Sequence, residues 1–459
     1  MNSSDKNSRR KFIKQNALLG AGLLSLGPAG RIFGQKGNVS IPAISGGDPI
    51  RTQPFPSWPI WKPKEDEQMV LEVLRSGVWS RACKVKEFEE TWARTVGADH
   101  CIALVNGTNS LICSLIQLDI GAGDEVLVPP YTFIATIQAI LQAGALPVFV
   151  DIDRETFQID HSKIESRITP NTRAIMPVHI CGLPADMPKI MAIAKKHNLK
   201  VVEDACQAWT AEINHQQMGT FGDAGCFSFQ NSKNIPIGEG GAIVSNDEAF
   251  IDRCFSYQNY GNPYGSVVGE VSSGTLNPGT KLRWTEYQAA IGMAQLERFE
   301  AYNLTRIKNA EYLKGKIKDI PGIKPYVLNE GVTRAAFHLF PFRYLKDEFM
   351  GLSRAGFLKA LRAEGIPCSS GYATLNNMPY LENTFKSKNY KRLHSKEALD
   401  YKRYAENNQC PENDQLCNEE AVWFYQNMLL GSTQDMDDIF SAVEKVQAHA
   451  EKIKKTESS

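Results

Sequence analysis

From about residue 100 the chain alternates short, wholly apolar runs with stretches of helical spacing. The apolar runs lie at 101–105, 125–129, 146–150, 173–178, 199–203, 224–229 and 242–245. Runs this short, without polar alternation, predict strands buried on both faces. Between the earlier ones, 111–118, 134–143 and 187–197 carry apolar residues at helical intervals. The succession predicts one large α/β domain around a seven-stranded, mostly parallel sheet.

Before this region, 65–76 and 88–96 predict two helices, the first closed by Gly77. Pro54, Pro56 and Pro59, interleaved with Phe55, Trp58 and Trp61, predict an arm without regular structure. Such an arm packs across a surface, its own or a partner subunit's. Downstream, 286–299 and 306–317 predict helices, 335–344 a strand and 354–364 a further helix, the pattern of a small α+β C-terminal domain. The expected division is a signal segment at 1–33, a linker and arm at 34–63, a large domain at 64–289 and a small one at 290–450.

The extreme N-terminus differs in kind. Ser8-Arg9-Arg10-Lys11-Phe12-Ile13-Lys14 precedes an apolar run at 17–26 that ends in Gly27-Pro28-Ala29-Gly30. A basic start and a short apolar run make a secretory signal, too short for an ordinary membrane span. The arginine pair followed by Phe resembles a twin-arginine export signal. The expected destination is the periplasm, or the cytoplasm if the signal is unused. No stable membrane span is expected beyond that segment.

Charge and cysteine content narrow the rest. Lys plus Arg and Asp plus Glu balance at 51 each, which gives no general attraction for nucleic acid or acidic lipid. The ten cysteines contain no C-x-x-C pair and do not cluster with histidine, so no metal site is expected. Cys410 and Cys417 alone lie in a polar stretch and are the candidate disulfide pair.

Functional loops of a parallel sheet gather at the C-terminal ends of its strands. The first such end carries Gly107, Thr108 and Asn109 at a helix start, where free N–H groups hold a phosphate or simply await a cap. The second carries Tyr131, Thr132 and Phe133, and an aromatic there can stack on a planar ring. The fifth ends in Glu203-Asp204-Ala205-Cys206-Gln207, a buried acid that needs a cationic partner such as a protonated ring nitrogen. The sixth delivers Ser228 and then Lys233, whose amine can form a Schiff base. A phosphate cradle, a stacking ring, a carboxylate and an amine together meet the needs of pyridoxal phosphate.

Several long motifs in order make the chain resemble the DegT/StrS family of sugar aminotransferases, of the fold-type-I class. They are N-G-T at 106–108, G-D-E-V-L-V-P-P-Y-T-F-I-A-T at 123–136, V-H-I-C-G-L-P-A-D-M at 178–187, E-D-A-C-Q at 203–207, S-F-Q-N-S-K-N at 228–234 and G-E-G-G-A at 238–242. The opening near 46–59 and G-Y-A-T-L at 371–375 resemble the branch of 3-amino-5-hydroxybenzoate synthase and scyllo-inosose aminotransferases. The resemblance implies that Lys233 forms the internal aldimine and shuttles a proton. It implies that Asp204 pairs with the pyridine nitrogen, Gln207 with the phenolic oxygen, and Phe133 with the ring face. Ser228 and the backbone of Gly107, Thr108 and Asn109 would hold the phosphate. Where many members have G-x-N-x-R, this chain has Gly279-Thr280-Lys281-Leu282-Arg283, so Lys281 would stand in for the Asn that reaches the neighbouring subunit's phosphate. Where family members often have His-Gly or His-Ala-His-Gly-Ala after the E-D motif, this chain has Ala208-Trp209-Thr210-Ala211, and Trp209 would narrow or reshape what lies there. His338 reads as a structural histidine paired locally.

The expected function is amino transfer from glutamate or glutamine to a keto-sugar or cyclitol, by a homodimer. The rivals are an exported cofactor-binding sensor or scaffold without turnover, and a dehydratase of the same fold, which Lys233 disfavours.

Overall fold

Each apolar run of the sheet region becomes a strand. The computed structural model describes residues 41–266, 274–275 and 277–457, all within one compact unit, Ser40–Ser459. The expected signal segment lies outside the described residues. In chain order the strands are β1 (His100–Leu104), β2 (Glu125–Val128), β3 (Leu146–Phe149), β4 (Thr172–Ile175), β5 (Lys200–Asp204), β6 (Glu212–Ile213), β7 (Gln216–Gln217), β8 (Ala224–Ser228), β9 (Gly241–Ser245), β10 (Ile323–Pro325), β11 (Val332–Arg334), β12 (Leu339–Tyr344) and β13 (Ala421–Tyr425).

The main sheet has seven strands in the order β1-β9-β8-β5-β4-β2-β3. Pairing is parallel from β3 across to β8, and β9 runs antiparallel to both of its neighbours. Side chains alternate across a strand, and the two faces bury different partners. Ile102, Leu104, Val126, Val128, Val202 and Cys226 pack with Leu111, Ile137 and Phe250 from helices Gly107–Gln117, Ala135–Ala143 and Glu248–Gln258. On the opposite face, Ala103, Phe227 and Val244 pack with Phe88 and Trp92 of helix Cys83–Val96. Leu127, Ile175 and Val201 on that face meet Met187, Ile190 and Ala194 of helix Met187–His197. Burial on both faces is why these runs show no alternation in sequence.

The two helices expected at 286–299 and 306–317 are one helix, Glu286–Ile317, of 32 residues. The intervening 300–305 contains neither Gly nor Pro, and Asn303 and Arg306 turn inward and are buried. Polar residues there mark a polar interior, not a break. The domain boundary expected at 289/290 falls inside this helix. A second core forms around the sheet β10-β12-β13, with Phe340, Phe342 and Phe424 at its centre. The strand expected from 335 begins only at Leu339, because Phe337 takes a left-handed φ of 47° and interrupts the extended backbone.

The candidate disulfide does not form. Cys410 and Cys417 are both buried free thiols. Cys410 faces the core of the main sheet and Cys417 the second core, so the polar residues around them in sequence give the wrong impression. Among the described residues, no helix is long and apolar enough to cross a membrane.

Candidate active site

Four strand ends converge on a cavity of about 740 Å³. Its wall includes Gly107, Thr108, Phe133, Asp204, Gln207, Ser228 and Lys233. Asn109 and Lys281 are not part of that wall. The Asn109 backbone N–H and side-chain amide both donate to Asn106 Oδ1, at 2.9 Å each, as the helix cap. Lys281 is exposed and bridges to Asn259 across a short antiparallel contact.

Once Asn106 has capped the helix, the N–H groups of Gly107 and Thr108 begin it and have no acceptor within the helix. They face the cavity with the positive end of the helix dipole behind them. Only glycine fits at 107, since a Cβ there would lie 2.8 Å from Cys206 Sγ and 2.9 Å from Ser228 Cβ. The cradle is therefore bare backbone.

Glu203 and Asp204 are adjacent in β5 and so point to opposite faces. Glu203 accepts the N–H groups of Gly219, Phe221 and Gly222 at 2.8, 2.7 and 2.8 Å, and contacts His179 Nε2 at 3.0 Å. It fastens a loop. Asp204 turns to the cavity, where Thr136 Oγ1 donates to Oδ2 at 2.7 Å and the Cys206 N–H to Oδ1 at 3.2 Å. Both partners are neutral, which leaves the buried carboxylate charge for a cationic ligand group. Gln207 is fixed at both ends of its amide. Its Oε1 accepts the Cys181 N–H at 2.9 Å, and its Nε2 donates to Tyr372 Oη at 2.9 Å.

Lys233 follows β8 in a turn closed by its own N–H to Gln230 O at 2.8 Å. Its carbonyl accepts Trp58 Nε1–H at 3.0 Å, so the proline-rich arm packs on its own chain and helps wall the site. The amine lies 6.0 Å from the centre of the Trp209 ring. Burial lowers its basicity below that of an ordinary lysine, with Cys206 and Asp204 opposing that shift. Trp209 is fully buried behind Lys233, with Nε1 donating to Ser228 O at 3.1 Å, and it does not line the cavity. Phe133 is the most open of the group, 57% exposed on the wall.

The second core closes the cavity with His338, Trp423, Tyr425, Gln426 and Asn427, none of which sequence reasoning marked as a site residue. His338 is paired, but not locally as expected: Nδ1 lies 3.2 Å from Oδ1 of Asn234, 104 residues earlier, and the ring also lines the cavity. Asn234 Nδ2 donates to Ala336 O at 2.9 Å, which turns Oδ1 toward the histidine and makes Nδ1 the protonated nitrogen. Burial, with Lys233 and Arg306 nearby, holds His338 well below the usual imidazole range.

Residues 62–404 match the profile of the DegT/DnrJ/EryC1/StrS aminotransferase family. The chain belongs to this family. As a family member it is similar to the L-glutamine:2-deoxy-scyllo-inosose aminotransferase of Streptoalloteichus tenebrarius, 33% identical over 89% of this chain and 97% of that one. The structure of 3-amino-5-hydroxybenzoic acid synthase superposes with a TM-score of 0.72 at 26% identity, covering 85% of this chain and 98% of that one. The ntda protein of Bacillus subtilis, solved with bound cofactor PMP, gives a TM-score of 0.67 at 25% identity over 84% of this chain and 82% of that one. This aminotransferase thus has the fold-type-I architecture expected from its motifs.

Proposed function

We propose that the protein is a pyridoxal-phosphate-dependent aminotransferase that moves an amino group from glutamine or glutamate to a keto-sugar or cyclitol. One observation carries the reading: Lys233, Asp204 and the bare helix start at Gly107 meet at one cavity. The donor set fits the cofactor, with an amine for its aldehyde, a buried carboxylate hydrogen-bonded only to neutral donors for its ring nitrogen, and a cradle that a single Cβ would fill. When bound, pyridoxal phosphate supplies a carbonyl for amine exchange and a ring that delocalises carbanion charge.

The chain's own groups then have distinct tasks. The Gly107 and Thr108 N–H groups and Ser228 hold the phosphate. Asp204, oriented by Thr136, keeps a proton on the ring nitrogen. Lys233 Nζ, less basic than a free lysine, takes up and returns the proton at the reacting carbon.

The active form is a homodimer. What supports this is a patch of exposed apolar side chains, Val78, Trp79, Tyr260, Tyr264 and Tyr287, around residues 78–81, 255–264 and 283–287. Lys281 lies on that side in sequence and serves the partner's site.

The test is reconstitution with pyridoxal phosphate, followed by an acceptor screen with glutamine or glutamate as donor. Lys233→Ala should abolish transfer and leave no pyridoxyl label on that peptide after borohydride treatment. Full activity in the variant, or a wild type that takes up no cofactor, overturns the reading.

A further inference from the structure

Arg306, on helix Glu286–Ile317, is fully buried and forms no salt bridge among the described residues. Its Nε and Nη2 both donate to Gln426 Oε1, at 2.9 and 2.7 Å. Nη1 has no hydrogen-bond partner among the described residues, and Trp58 covers the guanidinium with its ring centre 4.9 Å away. A buried cation opposed only by a neutral amide is strongly unfavourable, and a glutamate at 426 would relieve it. The chain carries glutamine instead.

Glutamine gives this wall something that glutamate cannot. Two guanidinium donors on one oxygen fix which end of the amide is which, so Nε2 is turned away from Arg306. Gln426 lines the cavity that holds Lys233, and its Nε2 has no partner among the described residues. Donation to Oε1 from a charged group polarises the amide and strengthens Nε2–H as a donor. Burial brings Arg306 down to about 9, which leaves it charged at neutral pH. His338 on the same wall is held neutral, and the cavity's acidic groups are Asp204 and Glu239. Arg306 is therefore a standing positive charge behind that wall.

We propose that Gln426 Nε2, oriented by Arg306 as a positioning residue, binds a carboxylate of the amino donor. The inference rests on the aminotransferase reading above. Of the two substrates, the amino acid brings a carboxylate close to its reacting carbon, whereas a cyclitol or the sugar ring of an acceptor brings neutral oxygens there. The charge behind Gln426 thus selects the donor.

The deciding variant is Gln426→Glu, compared with wild type as cofactor-loaded protein. The carboxylate satisfies Arg306 but removes the N–H donor and repels an anion. The expected result is a thermal midpoint equal to or above wild type, with donor KM raised at least about tenfold. Acceptor KM should stay within about twofold. Glutarate, a carboxylate ligand with no amino group to transfer, should bind wild type in calorimetry and bind the variant at least about tenfold more weakly. A merely structural pair would raise the midpoint and leave donor KM unchanged, which overturns the proposal. So does a rise in acceptor KM in place of donor KM, or a wild type that does not bind glutarate. Should the wild type bind glutarate but transfer nothing, the aminotransferase reading fails, and the glutarate comparison still decides the role of the pair.

Discussion

His338 illustrates how burial sets chemistry at a single residue. Its imidazole is enclosed by Trp209, whose ring centre is 5.7 Å away, and is influenced by Lys233 and Arg306. Burial and these two neighbours keep it neutral well below its ordinary value of 6.5. In the unfolded chain it titrates normally, so below that pH the unfolded state binds a proton that the folded state refuses. The sign follows directly: stability falls as pH drops below 6.5 and goes on falling until the folded-state value is reached. His338→Asn, which keeps a donor for Asn234, should flatten the lower limb of thermal midpoint against pH and leave neutral pH nearly unchanged. Parallel limbs in variant and wild type would show that the loss comes from elsewhere. Lys233 obeys the same logic with a different outcome. Its lowered basicity makes the folded state shed a proton earlier, so stability rises with pH up to the ordinary 10.5. Lys233→Met apoprotein should lose that rise.

At the level of elements, two positions show how loops far apart in sequence are held. Glu286, in the first turn of the long helix, accepts the N–H groups of Ala82, Lys84 and Val85 at 2.7, 2.8 and 2.9 Å. One buried carboxylate thus caps a second helix, Cys83–Val96, and joins the two. Glu286→Ala strands those donors and should cost about 3 kcal/mol, measured by denaturant unfolding. A loss within about 0.5 kcal/mol would mean that water replaces the carboxylate. Gly107→Ala acts on function first. The added methyl meets Cys206 and Ser228, so helix Gly107–Gln117 must shift away from the cradle. Cofactor affinity should fall at least about tenfold, read by equilibrium dialysis, while unfolding changes by only about 1–2 kcal/mol. Unaltered cofactor affinity would remove the helix start from phosphate binding.

At the scale of the whole molecule, the site belongs to two cores at once. The ends of the main sheet bring Gly107, Asp204 and Lys233 to the cavity, and Trp423 of the second core lines it together with His338 and Gln426. The long helix runs without a break from one core to the other, with Ala289 and Phe299 packed beside the main sheet and Ala310 and Leu313 in the second core. We further propose that the folded, cofactor-loaded chain is exported through its twin-arginine segment. Replacing Arg9 and Arg10 with lysine should retain it in the cytoplasm, as judged by cell fractionation. Unchanged export would assign the protein to another route.

Much of this was legible beforehand. Strands buried on both faces are apolar over most of their length, so the places of the seven are written in short runs, and the helices between the earlier ones point to mostly parallel pairing. Lys233, Asp204 and Gly107 were legible because chemistry at strand ends demands particular residue types there. The continuity of the long helix, the free state of Cys410 and Cys417, and the Arg306–Gln426 pair were not. Each depends on which neighbours a distant segment brings, 120 residues away for that pair. Local sequence records what a backbone position requires. It does not record which partner satisfies a buried polar group, because that is settled only when separate cores pack together.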